Sequence, residues 1–391
     1  MITPQEHFDA GLDKLLANFP DVPAVAACLV HDFGRDKIAG AKGVRRKGQL
    51  TPVKPTDRFP VGSVSKPITG FLMARLHQAG ILRWNDKLFD VFPEFATVAG
   101  RAALSIQEGF DDVTVEMLMS QRSGLYDQYN AMQTGRTLSD PPNWPELWFY
   151  QDAGPLKDEW LTPAGLMHRR LLLVVQSLQN LPVFPPGQGV GYGPAPTVAA
   201  AMAERRTGRT FEELYDAHVF QPLGLTQSSW KRIATTAAPP NGVYEHDSKG
   251  TPNDVFAQVQ GDWKAHAPVG TYGASPLDWC DMIEQHLPHA TGTKARLLDD
   301  AEQNHAHGFF SVSDGKGNVQ RVTRTGWGHN GSTTDATLSH SGDDGCQYAT
   351  FVIHRTLGYG LGVTVTIKNS SAVSQLVAYL EDMATNWANL F

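Results

Sequence analysis

The sequence predicts an α/β chain of the α+β kind: an antiparallel sheet built from both chain ends, flanked by helices, with a mostly helical lobe between. Three observations predict it. Apolar runs suited to strands occur near residues 24–44 and again across 308–367. Helical periodicity dominates the stretch between them. No internal repeat and no clean linker divides the 391 residues. The parts therefore read as two interleaved lobes of one domain, an α/β lobe over about residues 1–80 and 270–391 and a helical and loop lobe over about 81–269.

The elements follow in order. Residues 4–18 carry Phe8, Leu12, Leu15 and Leu16 on one side of a helix that Pro20 and Pro23 close. Residues 24–30 and 37–44 form a hairpin around the turn residues 32–36. A helix begins at or just before Ser63, because Pro67 is tolerated only near a first turn. Its apolar positions are Ile68, Phe71, Leu72, Leu76 and Ala79, and Gly80 ends it. Residues 113–125 read as an extended entry, a short helix and a glycine stop. Residues 126–165 are loop-like, with Trp144, Trp148, Phe149, Tyr150 and Trp160, and could wall a pocket or pack a lid. A rigid glycine-rich turn spans 185–196, and helices are predicted near 197–206 and 211–219. Residues 230–265 show no clear period. Ser275 opens a helix over 276–286, strands are predicted at 308–312, 335–339, 348–354 and 362–367, and a last helix covers about 372–387.

Composition narrows the function. Apolar residues make up 41% and charged residues 19%, which suits a soluble globular protein with a large core. The net charge of −7 and the absence of a basic run argue against nucleic-acid binding and membrane-surface binding. No apolar run approaches the ~20 residues that span a bilayer. The first residues lack the basic-then-apolar form of a signal peptide, so a cytoplasmic location is the default expectation. Cys28, Cys280 and Cys346 are widely spaced and suggest neither a disulfide framework nor a zinc site.

The candidate chemistry centres on residues 59–70. Ser63 and Lys66 are three apart near a helix start, so they share a face. A serine hydroxyl becomes a nucleophile when a neighbouring base takes its proton, and a lysine serves once partial burial lowers its pKa. Ser-x-x-Lys alone recurs by chance, and read alone the two residues are a helix N-cap and a solvated first-turn lysine. Tyr192 is one of ten tyrosines and His329 one of fourteen histidines, so each by itself reads as structural. His305 and His307 lack partners in a metal-ligand pattern. No Gly-x-Ser-x-Gly elbow occurs, which argues against an α/β-hydrolase triad.

Taken together, residues 59–70, 113–125, 186–192, 207–214, 221–225 and 328–331 resemble successive landmarks of one family. It is the serine hydrolase family of class C β-lactamases, D-stereospecific peptidases and related carboxylesterases, and the resemblance covers roughly residues 20–370. It implies a β-lactamase-like, penicillin-binding-protein-like fold. It implies that Ser63 is the acylated nucleophile, that Lys66 is its partner, and that Tyr192 shares proton transfer with the lysine. His329, Asn330 and Gly331 look like the His-x-Gly motif opposite the serine, with Asn330, Gly331 and Trp327 binding substrate. The backbone N–H groups of Ser63 and Ser332 would form the oxyanion hole by the same analogy. A second register, Trp327-Gly328-His329, resembles the Trp-Gly-Gly of some esterases.

One departure steers the substrate class. The family's Tyr-x-Asn reads Tyr192-Gly193-Pro194, and proline has no side-chain donor or acceptor for an amide substrate. The expectation is a serine hydrolase acting through an acyl-enzyme on Ser63, with a carboxylesterase for small or medium esters preferred. A D-amino-acid amidase or peptidase, a β-lactamase or an acyltransferase would use the same intermediate. A catalytically silent binding relative is the alternative from another class. The expected partner is a small ester or amide, with no metal and no organic cofactor.

Overall fold

The computed structural model describes residues 2–125, 162–230, 243–252, 265–313, 319–330 and 337–390. Its centre is an eight-stranded sheet with strands β1 (Ala24–His31), β2 (Asp36–Gly43), β3 (Phe309–Ser313), β4 (Val319–Thr323), β5 (Gly328–Asn330), β6 (Thr337–Asp343), β7 (Tyr348–His354) and β8 (Tyr359–Val365). The order is β2-β1-β8-β7-β6-β5-β4-β3, and every neighbouring pair is antiparallel. β1 pairs with β2 through Val25 and Lys42 and with β8 through Val25 and Val365. The first strands and the last strand thus lie side by side, as the distribution of apolar runs predicted.

Helices cover both faces. Among the described residues the helices used below are α1 (Pro4–Asn18), α2 (Ser65–Gln78), α3 (Val115–Met119), α4 (Pro163–Leu178), α5 (Ala195–Thr207), α6 (Phe211–Tyr215), α7 (Pro276–Glu284), α8 (Asp300–His307) and α9 (Ser370–Thr385), besides the helix Val98–Leu104 and shorter helical segments. α1 and α9 pack Phe8, Leu12, Leu376 and Leu380 against Val25, Ala27, Leu29 and Val363. On the other face Phe71, Leu72 and Leu76 of α2 and Trp279 and Ile283 of α7 meet Ala26, Cys28, Phe351 and Ile353. Both sides of β1 are therefore buried, which is why residues 24–30 read as a continuous apolar run and not an alternating one.

Local chemistry sets the boundaries. α1 starts in a capping box, with Thr3 accepting from the Glu6 N–H and Glu6 returning to the Thr3 backbone. Ser63 lies in a 3₁₀ turn, Gly62–Val64, and the α-helix proper begins two residues later at Ser65, with Pro67 inside its first turn. α2 approaches the sheet closely at Gly70, where a Cβ would lie 2.2 Å from the Thr325 carbonyl oxygen. Residues 126–161 of the predicted aromatic-rich loop and most of 230–265 lie outside the described residues, and 163–165, read as loop, open α4. Among the described residues no helix is long and apolar enough to cross a membrane.

Candidate active site

The turn Gly62–Val64 leaves Ser63 half-exposed while its neighbours Val64 and Ser65 are buried. The Ser65 hydroxyl donates to the Gly62 carbonyl at 2.6 Å and accepts from the Tyr272 N–H at 3.0 Å. That pair of bonds ties the turn to itself and to the backbone of Tyr272 behind it. One helical turn on, Lys66 is only 5% exposed, and its Nζ donates to Ser63 Oγ at 3.0 Å and to the Val269 carbonyl at 3.1 Å. The same Nζ stands 4.3 Å from the centroid of the Tyr192 ring. Ser63, Lys66 and Tyr192 are therefore brought together, although Lys66 and Tyr192 are 126 positions apart in the chain.

The carbonyls that receive Lys66 and Thr69 belong to one segment. Val269 takes Lys66, and Pro268 takes the Thr69 hydroxyl at 2.7 Å. Arg170, fully buried on α4, holds that segment through Nε to the Ala265 carbonyl at 3.0 Å. Its guanidinium also meets Glu204 of α5 and Glu212 of α6. His266, beside it, is buried, and desolvation with Arg170, Arg169 and Lys66 nearby pushes its pKa down to about 3, so its imidazole is neutral.

The strand opposite the serine is β6, and this corrects the expectation for His329. Gly342 of β6 lies under the nucleophile turn: a Cβ there would sit 1.9 Å from the Val61 carbonyl oxygen and 2.9 Å from the Ser63 nitrogen. Alternation along the strand puts Leu338, His340 and Gly342 on one face. Leu338 joins the core, and the His340 ring is 6.2 Å from that of Tyr192. His340 Nδ1 pairs with the Ser341 carbonyl at 2.8 Å, and burial with the Lys66 charge pushes its pKa down to about 3. His340-Ser341-Gly342 is the second His-x-Gly triplet of the chain, and it is the one facing Ser63.

His329 lies on β5, one strand further from the turn, paired with Leu338. It is buried and stacks on Phe309 with ring centroids 4.0 Å apart, which makes it a packing residue. Trp327 is also a core residue and not a substrate-binding one: it is 1% exposed and meets His286 edge-on at 5.2 Å. Asn330 ends β5, paired with Thr337, while Gly331 and Ser332 lie outside the described residues. Pro194, where the family resemblance expects an asparagine, is the N-cap residue of α5 and is buried.

A fold of antiparallel sheet and helices with a serine in the turn just before α2, paired with a lysine on the first turn of that helix, defines a class of serine hydrolases. The chain belongs to the Beta-lactamase family, whose sequence profile matches residues 12–382. It is similar to Esterase EstB of Burkholderia gladioli, 28% identical over 56% of this chain and 49% of that protein. It is likewise similar to the Lovastatin esterase of Penicillium rubens, 27% identical over 57% of this chain and 51% of that protein. The chain thus aligns with about half the length of these curated relatives. Among solved structures, a D-stereospecific amidohydrolase from Streptomyces sp. superposes with a TM-score of 0.62 at 18% identity, over 95% of this chain and 97% of that one. That likeness concerns the fold.

Proposed function

We propose that the protein hydrolyses carboxylic esters through an acyl-enzyme on Ser63. The observation that carries the reading is the buried Lys66 Nζ at 3.0 Å from the half-exposed Ser63 Oγ, with the Tyr192 ring over the same ammonium. With Lys66 as an ammonium that stabilises the Tyr192 phenolate, the Tyr192 oxygen takes the Ser63 proton as Oγ attacks the ester carbonyl. The proton then passes to the departing alkoxide, and the same groups activate the water that releases the acid. Two backbone N–H groups close to the turn are assigned the oxyanion. One is that of Ser63; the other is that of Asp343, whose nitrogen lies 3.3 Å from where a Cβ on Gly62 would sit. Fixed donors of this kind contribute about 3–4 kcal/mol each to the transition state.

The preference for esters is supported by Pro194, which offers no side-chain group to an amide N–H. The esterase names of the two curated relatives agree with it. The test compares kcat/KM for the p-nitrophenyl ester and the p-nitroanilide of butyric acid, with Ser63→Ala as control. A strong ester preference that vanishes in Ser63→Ala is the expected result. Comparable anilide cleavage would replace the esterase reading by an amidase one, and near-normal turnover by Ser63→Ala would remove Ser63 from the mechanism.

A further inference from the structure

We propose that Gln121 is a positioning residue that holds Tyr192 over Lys66 by binding the backbone on both sides of it. This rests on the reading above of Tyr192 as part of the catalytic apparatus. Gln121 follows α3 and is only 4% exposed. Its φ is +58°, in the left-handed region that a side-chain-bearing residue occupies at a cost. Its carbonyl oxygen accepts the Gly191 N–H at 2.8 Å, and its side-chain Oε1 accepts the Gly193 N–H at 3.0 Å. Those are the two residues flanking Tyr192. One strained residue thus fixes the backbone immediately before and after the tyrosine, which is where strain carried by a functional site is expected.

The loop needs an external template. Gly187, Gly189, Gly191 and Gly193 alternate through it, and glycines impose little conformational preference. The segment 121–124 supplies the missing constraint along its length. The Arg122 carbonyl accepts from Gly187 N–H at 2.7 Å, and Arg122 Nη2 donates to the Gly187 carbonyl at 2.9 Å. The Gly124 carbonyl accepts from Val183 N–H at 2.9 Å. Gln121 contributes the two bonds nearest the ring. Its own Nε2 is buried and has no partner among the described residues. The carboxamide is therefore not kept for a full set of hydrogen bonds; what it supplies is the acceptor at Oε1. The ring centroid sits 4.3 Å from Lys66 Nζ, so a shift of an ångström in the loop alters the proton path to Ser63.

The experiment uses p-nitrophenyl butyrate and the full chain. Gln121→Met keeps the shape and removes the acceptor. Gln121→Glu keeps the acceptor. Gln121→Gly removes the side-chain bond while relieving the positive φ, so it guards against a folding failure. Gln121→Met should lower kcat about 10- to 100-fold with KM little changed, as a small misplacement of a catalytic group does. Gln121→Gly should fall in the same direction and Gln121→Glu should stay close to wild type. In a Tyr192→Phe background Gln121→Met should cost nothing further, because the tyrosine hydroxyl it positions is already gone. Wild-type kcat in Gln121→Met, or an equal loss in the Tyr192→Phe background, overturns the proposal. Labelling of Ser63 by a fluorophosphonate, read by intact mass, separates the two levels. A wild-type chain that takes no label, or a Tyr192→Phe variant at full rate, refutes the catalytic reading itself. A labelled chain with a functional tyrosine and an indifferent Gln121→Met refutes only the role of Gln121.

Discussion

Arg170 influences the candidate site without approaching the nucleophile. Its guanidinium is fully buried between Glu204, itself 2% exposed, and Glu212, and it holds the Ala265 carbonyl. Removing it leaves a buried carboxylate with its main cation gone and frees the segment whose Val269 carbonyl receives Lys66. Arg170→Ala should therefore lose about 3–5 kcal/mol of stability, the usual cost of breaking a buried ion pair from one side. Arg170→Lys should recover little of it, because an ammonium cannot bridge two carboxylates and a carbonyl with one planar fork. Urea denaturation of the three proteins checks this, and a loss below about 1 kcal/mol for the alanine variant would demote the cluster to a surface-like pair. Legibility at this scale was uneven. Ser63 and Lys66 were readable because a spacing of three on a helix start is a local fact. Arg170 and Gln121 were not, because their partners lie on other segments, and the positive φ of Gln121 leaves no mark in residue type.

At the scale of elements, the site is a meeting of the turn Gly62–Val64 with the strand β6, and Gly342 is the point of closest approach. A Cβ there would fall 1.9 Å from the Val61 carbonyl oxygen, a distance no side chain tolerates, so Gly342→Ala must push the turn off the strand. The variant should lose about 1–3 kcal/mol of stability through overpacking and also lose at least ~10-fold in kcat, because Ser63 moves relative to its donors. Gly345→Ala is the matched control. Its φ is +88° and nothing lies within 4 Å, so it carries backbone strain without touching the turn. It should lower the melting temperature and leave kcat per folded enzyme unchanged; equal effects of the two substitutions on kcat would refute the contact argument. The chain contains two His-x-Gly triplets, at 329–331 and 340–342, eleven residues apart and both in β-rich surroundings, and the sequence reading took only the first. Which one faces the serine depends on sheet order, and β5 is a three-residue strand with too little pattern to reveal that order. β4 was equally hidden, since three of its five residues are exposed and its burial does not alternate. The long strands β1, β2, β7 and β8 and the helices α1, α2, α5, α7 and α9 fell within a few residues of their predicted places, whereas α4, which begins inside the stretch read as loop, and α8 were not predicted.

Across the whole molecule, the two helical layers around one sheet bury more histidine than the site uses. His286 and His307 share a bond of 3.0 Å between Nδ1 and Nε2 at the foot of α2, with Phe71 and Trp327 against His286. Burial pushes His286 down to about 3 and His307 well below its ordinary value, and the Arg355 charge acts in the same direction on both. His266 is pushed down to about 3 by burial and then by Arg170, Arg169 and Lys66. All three are neutral in the folded state, whereas in the unfolded chain each titrates near 6.5. Between pH about 6.5 and about 3 the unfolded chain therefore binds more protons, and stability must fall as pH falls through that window. Each histidine contributes a slope of about 1.4 kcal/mol per pH unit once its unfolded form is protonated. The unfolding free energy from urea titrations should accordingly be level above pH ~7 and decline steeply from pH ~6 to ~5, before most carboxylates begin to protonate. Any loss of the proposed Ser63-dependent turnover on acidification should then coincide with loss of the folded circular dichroism signal and not precede it. A flat unfolding free energy over that interval would mean that the His286–His307 pair takes up a proton without opening the core, and the neutral packing of α2 on the sheet would have to be redrawn.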